Sequence, residues 1–410
     1  MQYDKPPMMN KNKILTSRVL NGNWRLAVTL ALATVLVGCN KSAEPSSGTS
    51  SSSSATEGDV IKVGEFASLT GKEASFGQMS HNGTKLAINE LNAKGGVLGR
   101  KLQLLTEDDQ SKQGEAKTIA RKLISRDGIV ALLGEVSSGR SLEAAPVCQE
   151  SHIPQISPSS TNPKVTAIGD YIFRVCFTDP LQGKVLARFA QKTLKVTRVA
   201  VLTDAANTYS VGLATYFKDA FTNDGGQIVD EQKYSGGDKD FNAQLTTIKA
   251  ANPEALFIPG YYQDVGLIAL QARQLGITVP LFGGDGWESQ DLMSIGGAAV
   301  EGAFFSTHFS PEESGPVVQD FVKKFQAKYG VMPDAMAALG YDSAMLLADA
   351  FKRAGTTDGP KVRDALAATK DFPGIAGQIT IDEHRDAKKP LVMLQVKGGK
   401  LKLFEQIGAE

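Results

Sequence analysis

Short apolar runs alternate with amphipathic helical patterns along most of this chain, and this alternation restricts the possible folds more than any other feature. The apolar runs are continuous, as in strands that are buried on both faces of a parallel sheet. The helical pattern is clearest at 116–124, where apolar residues recur at helical spacing and Lys117 and Arg121 occupy the opposite face. Regular β-α-β order predicts an α/β fold whose parallel sheets carry helices on both faces. The predicted strands are 61–66, 101–106, 129–134, 154–157, 199–203, 255–259, 279–282 and 302–305.

The N-terminal segment differs in composition from the rest of the chain. Basic residues precede an uncharged apolar run, 26–38, that is too short for a transmembrane helix and has the length of a signal-peptide core. The run ends in Leu-Val-Gly before Cys39, a junction that resembles the bacterial lipobox, in which the cysteine is acylated after cleavage. Residues 1–38 are therefore predicted to be a lipoprotein signal peptide, with Cys39 as the lipidated residue. The Ser-rich stretch 39–58 is predicted to be a tether too polar to fold.

The composition argues against several classes of function. The 410 residues include 44 basic and 44 acidic side chains, so no global field attracts nucleic acid. Three cysteines and four histidines, without ligand spacing, predict no metal site, and no cofactor is expected. The segment from Gly64 to Lys72 lacks the spacing and the hydroxyl of a phosphate-binding loop, and no Gly-x-Ser-x-Gly elbow occurs. These features favour a binding protein over an enzyme.

Polar loops follow the predicted strands at their carboxyl ends, where open α/β sheets bind ligands. Ser137-Ser138-Gly139 and the stretch 157–162 offer hydroxyls and free backbone N–H groups that suit a carboxylate, although ordinary helix capping explains them equally well. Asp285 stands in a Gly-rich turn and suits an ammonium group. Together these features predict an amino-acid pocket. Its candidate apolar walls are Phe76, Tyr209, Tyr261, Tyr262 and Trp287.

The folded part of the chain also resembles a known family. The resemblance rests on the order and spacing of several short motifs: Ile61-Lys62-Val63-Gly64, 87–97, Glu107-Asp108-Asp109, 153–158, Tyr171-Ile172-Phe173-Arg174 and 283–286. The pattern is similar to that of type I periplasmic binding proteins, specifically the leucine/isoleucine/valine-binding receptors of ABC importers. It implies two Rossmann-like lobes joined by a three-strand hinge that crosses near Thr178, Thr307 and Lys388. Lobe 1 would comprise residues 59–178 and 308–387, and lobe 2 residues 179–307 and 388–410.

The resemblance further implies roles for single residues. Ser138, Ser159 and Thr161 match the residues that hold the ligand carboxylate and part of its ammonium, and Asp285 matches the acidic ammonium partner. Tyr209 matches an aromatic residue that closes over the ligand, and Phe76 matches one on the first lobe; Tyr262 and Trp287 complete the predicted ligand-binding set. Asp285 is one methylene shorter than the family's Glu, and Ser111 and Ser137 stand where some receptors carry a disulfide. These departures leave the side-chain specificity open.

The implied function is capture of an amino acid, branched-chain or related, by hinge closure, a motion for which periplasmic binding proteins are a standard example. The protein would be the lipid-anchored, extracytoplasmic substrate-binding subunit of an ABC importer, a monomer whose partners are its ligand and the permease subunits. A sensor subunit that presents ligand to a chemoreceptor or kinase remains an alternative, as does a binder of an amide or other small polar solute. Cys148 and Cys176 either form a disulfide or are two buried thiols.

Overall fold

Two large β-sheets organise the chain in the computed structural model, which describes residues 60–407. The strands of the first sheet are all parallel and lie in the order β2-β1-β3-β4-β5. Their bounds are β1 (Val60–Ala67), β2 (Lys101–Asp108), β3 (Ala131–Leu133), β4 (Gln155–Ser157) and β5 (Ile172–Arg174).

The second sheet combines a parallel part with an antiparallel hairpin. Its parallel strands are β6 (Arg198–Asp204), β7 (Gln227–Tyr234), β8 (Ala255–Phe257), β9 (Leu281–Gly283) and β10 (Phe304–Thr307). A small antiparallel sheet follows in the chain, made of β11 (Phe372–Gly374), β12 (Gly377–Ile381) and β13 (Ala387–Lys388). The hairpin of β14 (Leu391–Lys397) and β15 (Lys400–Ile407) then adds antiparallel to β10, so the order is β15-β14-β10-β9-β8-β6-β7. The sequence analysis did not predict this hairpin.

Helices cover both faces of each large sheet. Their bounds are α1 (Ala74–Ala93), α2 (Glu115–Ser125), α3 (Ser138–Glu150), α4 (Asp179–Lys192), α5 (Thr208–Asn223), α6 (Asn242–Ala250), α7 (Tyr262–Gln274), α8 (Gln290–Gly296), α9 (Pro316–Tyr329), α10 (Ala335–Ala354) and α11 (Gly359–Ala367). Short 3-10 turns occur at Thr166–Ile168, Asp285–Trp287 and Gly297–Val300.

The apolar faces of these helices form the cores. Ala116, Ile119, Ala120 and Leu123 of α2 are buried, which confirms the helical face predicted there. They pack with Phe66 on one face of the first sheet, while residues of α1, α9 and α10 pack on its other face. The second sheet is covered in the same way, by α4 and α5 on one face and α6 and α7 on the other. Each sheet therefore has its own two-sided core.

The chain passes between the two sheets at several points. It leaves the first sheet after β5 and enters the second at β6; it returns after β10 to the helices that cover the first sheet, and joins the second sheet again at β14. We propose that the lobe boundaries predicted from the sequence follow these passages. Lobe 1 denotes below the part built on the first sheet, and lobe 2 the part built on the second.

Cys148 and Cys176 are free thiols, and both are buried. Burial raises the pKa of each thiol, so neither is a ready nucleophile. Of the two possibilities left open by the sequence, the structure has the buried thiols and not the disulfide.

No helix within residues 60–407 has the length and apolar character needed to cross a bilayer. The predicted signal peptide, the tether and Cys39 lie outside the described residues.

Candidate ligand-binding site

The predicted site residues meet at the carboxyl ends of the two sheets. In each sheet the strand order reverses beside the first strand, since β1 lies between β2 and β3 and β6 lies between β7 and β8. Open α/β sheets bind ligands in the crevice outside such a reversal. The eight predicted residues follow the carboxyl ends of β1, β3, β4, β6, β8 and β9: Phe76, Ser138, Ser159, Thr161, Tyr209, Tyr262, Asp285 and Trp287.

The loops of the two lobes touch each other across this crevice. The hydroxyl of Tyr261 from lobe 2 donates to Ser137 Oγ of lobe 1 at 3.1 Å. Nearby, Asn162 Nδ2 of lobe 1 donates to the carbonyl of Thr208 at 3.0 Å. The structure therefore has the cleft closed.

The hydroxyls predicted to hold a carboxylate are buried in this cleft. Ser138 is the first residue of α3, and its Oγ accepts a hydrogen bond from the backbone N–H of Asn162 at 3.3 Å. Thr161 Oγ1 is buried and has no hydrogen-bond partner of good geometry among residues 60–407. A buried polar group without a partner costs about 1–3 kcal/mol, so Thr161 is placed for a ligand atom. Ser159 instead reaches Asp285, with 3.4 Å between Ser159 Oγ and Asp285 Oδ2.

The carboxylate of Asp285 is buried opposite these hydroxyls and is held by lobe 2 side chains. Gln182 Nε2 donates to Oδ1 at 2.8 Å, and His308 Nε2 lies 3.2 Å from Oδ2. The structure thus brings Asp285 together with Ser138, Ser159 and Thr161, as the sequence analysis expects.

A second buried acid, Asp179, adjoins Asp285 and was missed from the sequence. It is the first residue of α4 and is fully buried, and within the described part of the chain neither carboxylate oxygen has a hydrogen-bond partner. Burial raises the pKa of Asp179 to about 8; the neighbouring Thr161 hydroxyl opposes this rise, and the charge of Asp285 adds to it. An unpaired buried carboxylate is costly, so this position suits a bound cation. Thr178-Asp179-Pro180 resembles any helix start, and only its place at a predicted lobe crossing was a signal.

Aromatic side chains form the walls of the cleft, with Tyr261 at the centre. Its ring stacks on Tyr209, with 5.3 Å between centroids, and meets Phe76 edge to face at 5.4 Å. Phe76 also meets Tyr262 edge to face at 5.0 Å, so lobe 1 inserts this ring between two lobe 2 tyrosines. The Tyr262 hydroxyl donates to the carbonyl of Lys72 at 3.1 Å, which places Tyr262 at the lobe contact.

Trp287 lies apart from these walls. Its indole Nε1 donates to the carbonyl of Ile258 at 2.8 Å, and the ring is fully buried in the core of lobe 2. The structure therefore places Trp287 as a packing residue beneath the Asp285 turn, and the cluster of predicted site residues does not include its ring.

A buried ion cluster joins the lobe 1 loops beside the cleft. Arg140 Nε lies 3.1 Å from Glu135 Oε2 and 3.4 Å from Asp109 Oδ2, and its guanidinium also bonds Glu73. Burial raises the pKa of Glu135 to about 7, Arg140 opposes this rise, and Asp109 adds to it. The cluster connects the loops that follow β1, β2 and β3, and so fixes the loop that carries Ser138. No grouping of metal-ligating side chains occurs in the described range.

Comparisons with known proteins agree with this architecture. A family model described as periplasmic binding protein matches residues 60–400. The Leu/Ile/Val-binding protein homolog 3 of Brucella melitensis biotype 1 is 30% identical over 332 residues, which cover 80% of this chain and 89% of that protein.

Two solved structures share both fold and sequence with the chain. The leucine-binding protein LivK of Thermotoga maritima MSB8 is 41% identical with a TM-score of 0.81, and the match covers 85% of this chain and 99% of that one. The branched-chain amino acid transporter substrate-binding protein LivJ of Streptococcus pneumoniae, solved with isoleucine, is 32% identical with a TM-score of 0.81 and the same coverage. The matched family consists of solute-binding proteins rather than enzymes. The chain belongs to the periplasmic binding protein family, as a type I, two-lobed member related to the Leu/Ile/Val-binding proteins.

Proposed function

We propose that the protein is the lipid-anchored, extracytoplasmic substrate-binding subunit of an ABC importer, and that it captures an amino acid, branched-chain or related. The observation that carries this proposal is the unpartnered Asp179 carboxylate beside the unpartnered Thr161 hydroxyl in a closed, aromatic-walled cleft. One buried group calls for a cation, and the other can donate to an anion. A zwitterion satisfies both, which a neutral solute does not.

In the proposed complex the ligand ammonium contacts Asp179 and Asp285, while its carboxylate accepts hydrogen bonds from Ser138 and Thr161. The ligand side chain lies against the rings of Phe76, Tyr209 and Tyr261. Because the donors belong to lobe 1 and Asp285 belongs to lobe 2, both sets engage the ligand only when the cleft is closed. The ligand therefore shifts the lobe equilibrium toward the closed form by its differential affinity.

The permease subunits of the importer would recognise the closed form, and the Cys39 anchor would keep the protein at the membrane. The names of related transporter proteins support this assignment over a sensor that serves a chemoreceptor or kinase. We propose a monomer, because one chain supplies both lobes of the cleft.

Calorimetric titration with the proteinogenic amino acids, their amides and their 2-hydroxy analogues tests the ligand class. Asp285→Ala should weaken the tightest amino acid by roughly a hundredfold or more, since removing one partner of a buried charge pair costs about 3–5 kcal/mol. Thr161→Ala should cost less, about 1.5–3 kcal/mol, as for a hydrogen bond to a charged group. Asp219→Ala, an exposed acid on α5, is the matched control. Equal affinity of the wild type and Asp285→Ala would refute an ammonium contact there.

A further inference from the structure

His308 occupies an unusual place at the hinge. It directly follows β10, where the chain passes from the second sheet to the helices that cover the first. Its buried ring stacks on Phe177, with 3.8 Å between centroids and 26° between planes. Phe177 lies in the segment between β5 and α4, where the chain makes its first passage between the sheets. The imidazole is therefore packed between two of the passages that connect the lobes.

The hydrogen-bond geometry defines the protonation of this ring. Nε2 lies 3.2 Å from Asp285 Oδ2, and an ionised carboxylate only accepts hydrogen bonds, so Nε2 carries the hydrogen. Nδ1 is buried and has no partner within residues 60–407, which leaves it without a proton. Burial lowers the pKa of His308; Asp285 opposes this effect, and the buried Lys389 nearby adds to it. The ring is neutral and donates one hydrogen bond, to Asp285.

The two oxygens of Asp285 are thus held from two directions. Gln182, on the first turns of α4, donates to Oδ1, and His308 donates to Oδ2. Both donors lie next to passages between the lobes. A carboxylate has about four acceptor positions, so these two bonds and the Ser159 contact orient it while leaving room for a ligand donor.

We propose that His308 is a positioning residue, which orients the Asp285 carboxylate for the ligand ammonium and connects that carboxylate to the hinge. This inference rests on the proposed function, because it assumes that Asp285 meets an ammonium group. His308 itself does not contact the ligand; its effect on affinity passes through Asp285.

Two substitutions separate the hydrogen bond from the packing of the ring. His308→Gln places an amide N–H near the position of Nε2, whereas His308→Leu keeps much of the volume and removes the donor. With L-leucine as the probe, we expect His308→Leu to raise Kd by about tenfold or more and His308→Gln to stay within about threefold of the wild type. Thermal unfolding without ligand verifies that both variants fold. Equal weakening by Gln and Leu would overturn the proposal.

A double-mutant cycle tests whether the effect passes through Asp285. In an Asp285→Asn background, His308→Leu should cause little further loss of leucine affinity, because the carboxylate that His308 orients is gone. A full additional tenfold loss in that background would show that His308 acts by packing alone, against the proposal.

A ligand-free measurement separates this inference from the proposed function. Imidazole ¹⁵N NMR should identify the Nε2–H tautomer of His308 in the wild type and a changed Nε2 resonance in Asp285→Asn. An Nδ1–H tautomer, or a resonance that ignores Asp285→Asn, would refute the positioning contact. If the NMR result is as expected but no amino acid binds the wild type, the proposed function fails while the His308–Asp285 contact stands, and the role assigned to that contact falls with the function.

Discussion

The two buried aspartates of the cleft have different surroundings, and the difference suggests different tasks. Asp285 accepts hydrogen bonds from Gln182 and His308, so its orientation is set before a ligand arrives. Asp179 has no such donors among the described residues, and its pKa is raised to about 8. We infer that Asp179 gains most from a ligand ammonium, because the ligand supplies the only close positive charge.

Asp179→Asn should weaken amino-acid binding by about a hundredfold or more, because it removes the charge that pairs with the ammonium and leaves that ammonium uncompensated in a buried site. The amide has nearly the same shape as the carboxylate, so the fold should persist. Calorimetric titration measures the change, and Asp219→Asn on the exposed face of α5 is the control. Wild-type affinity in Asp179→Asn would remove Asp179 from the proposed site.

The raised pKa of Asp179 also predicts a pH dependence of binding. Below about pH 8 the buried carboxyl of the closed cleft holds a proton, which must leave when an ammonium binds. Affinity should therefore increase with pH between 6 and 8, by up to about tenfold per pH unit for one proton released. Titrations at several pH values measure this slope, which should be flatter in Asp179→Asn. A wild-type affinity that does not change below pH 8 would contradict the prediction.

The same pKa shift fixes the sign of a stability change. In the folded, ligand-free protein Asp179 keeps a proton up to about pH 8, whereas the unfolded chain releases it near the ordinary value of about 4. Between these pH values the folded state binds more protons, so the contribution of Asp179 to the free energy of unfolding falls as pH rises. Asp179→Asn should remove this contribution.

At the scale of elements, the contact between α1 and α10 depends on small residues. A Cβ atom built on Gly340 of α10 would lie 2.2 Å from the carbonyl oxygen of Ser80, and one on Gly83 of α1 would lie 1.9 Å from that of Ala337. These are backbone atoms within helices, which cannot turn aside as a side chain does. The two helices approach closely because both positions lack a side chain.

Gly340→Ala should lower the free energy of unfolding by about 1–3 kcal/mol, the usual cost of overpacking a core, although alanine is the better helix former. Gly139→Ala in α3 is the matched control, since no atom lies within 4 Å of its added Cβ. The control should be neutral or more stable by up to about 1 kcal/mol. Urea unfolding compares the two, and a Gly340→Ala protein as stable as the control would contradict the close-contact argument.

At the scale of the whole molecule, closure and anchoring together produce the proposed function. The cleft joins residues that the chain separates widely, such as Thr161 from lobe 1 and Asp285 from lobe 2. A ligand that holds both lobes makes closure report occupancy. A membrane anchor would keep this closing unit close to the permease.

Cys39→Ala should abolish membrane attachment, because the predicted lipid is carried by that thiol. Fractionation of cells and metabolic labelling with a fatty acid measure the change, and Ser46→Ala within the predicted tether is the control. A Cys39→Ala protein that is still processed, lipidated and membrane-bound would refute the anchor.

The sequence by itself determined the α/β class, the helical face of α2 and the resemblance to type I periplasmic binding proteins. It also indicated the loops that carry Ser138, Thr161 and Asp285. These features depend on the local period of apolar residues and on turn residues beside strands, and neighbours in the chain carry both signals. The first and second sheets then follow from the regular β-α-β order.

Only the tertiary structure decided which side chains meet. Asp179 resembles a common helix start until α4 is packed against lobe 1, and only then does it lack a partner. Tyr261 and Trp287 are both aromatic residues in carboxyl-end loops, yet one joins the cleft and the other the core of lobe 2. The hairpin of β14 and β15 pairs with β10 across a long separation in the chain. Burial, pairing and closure depend on distant segments, whose contacts no local pattern encodes.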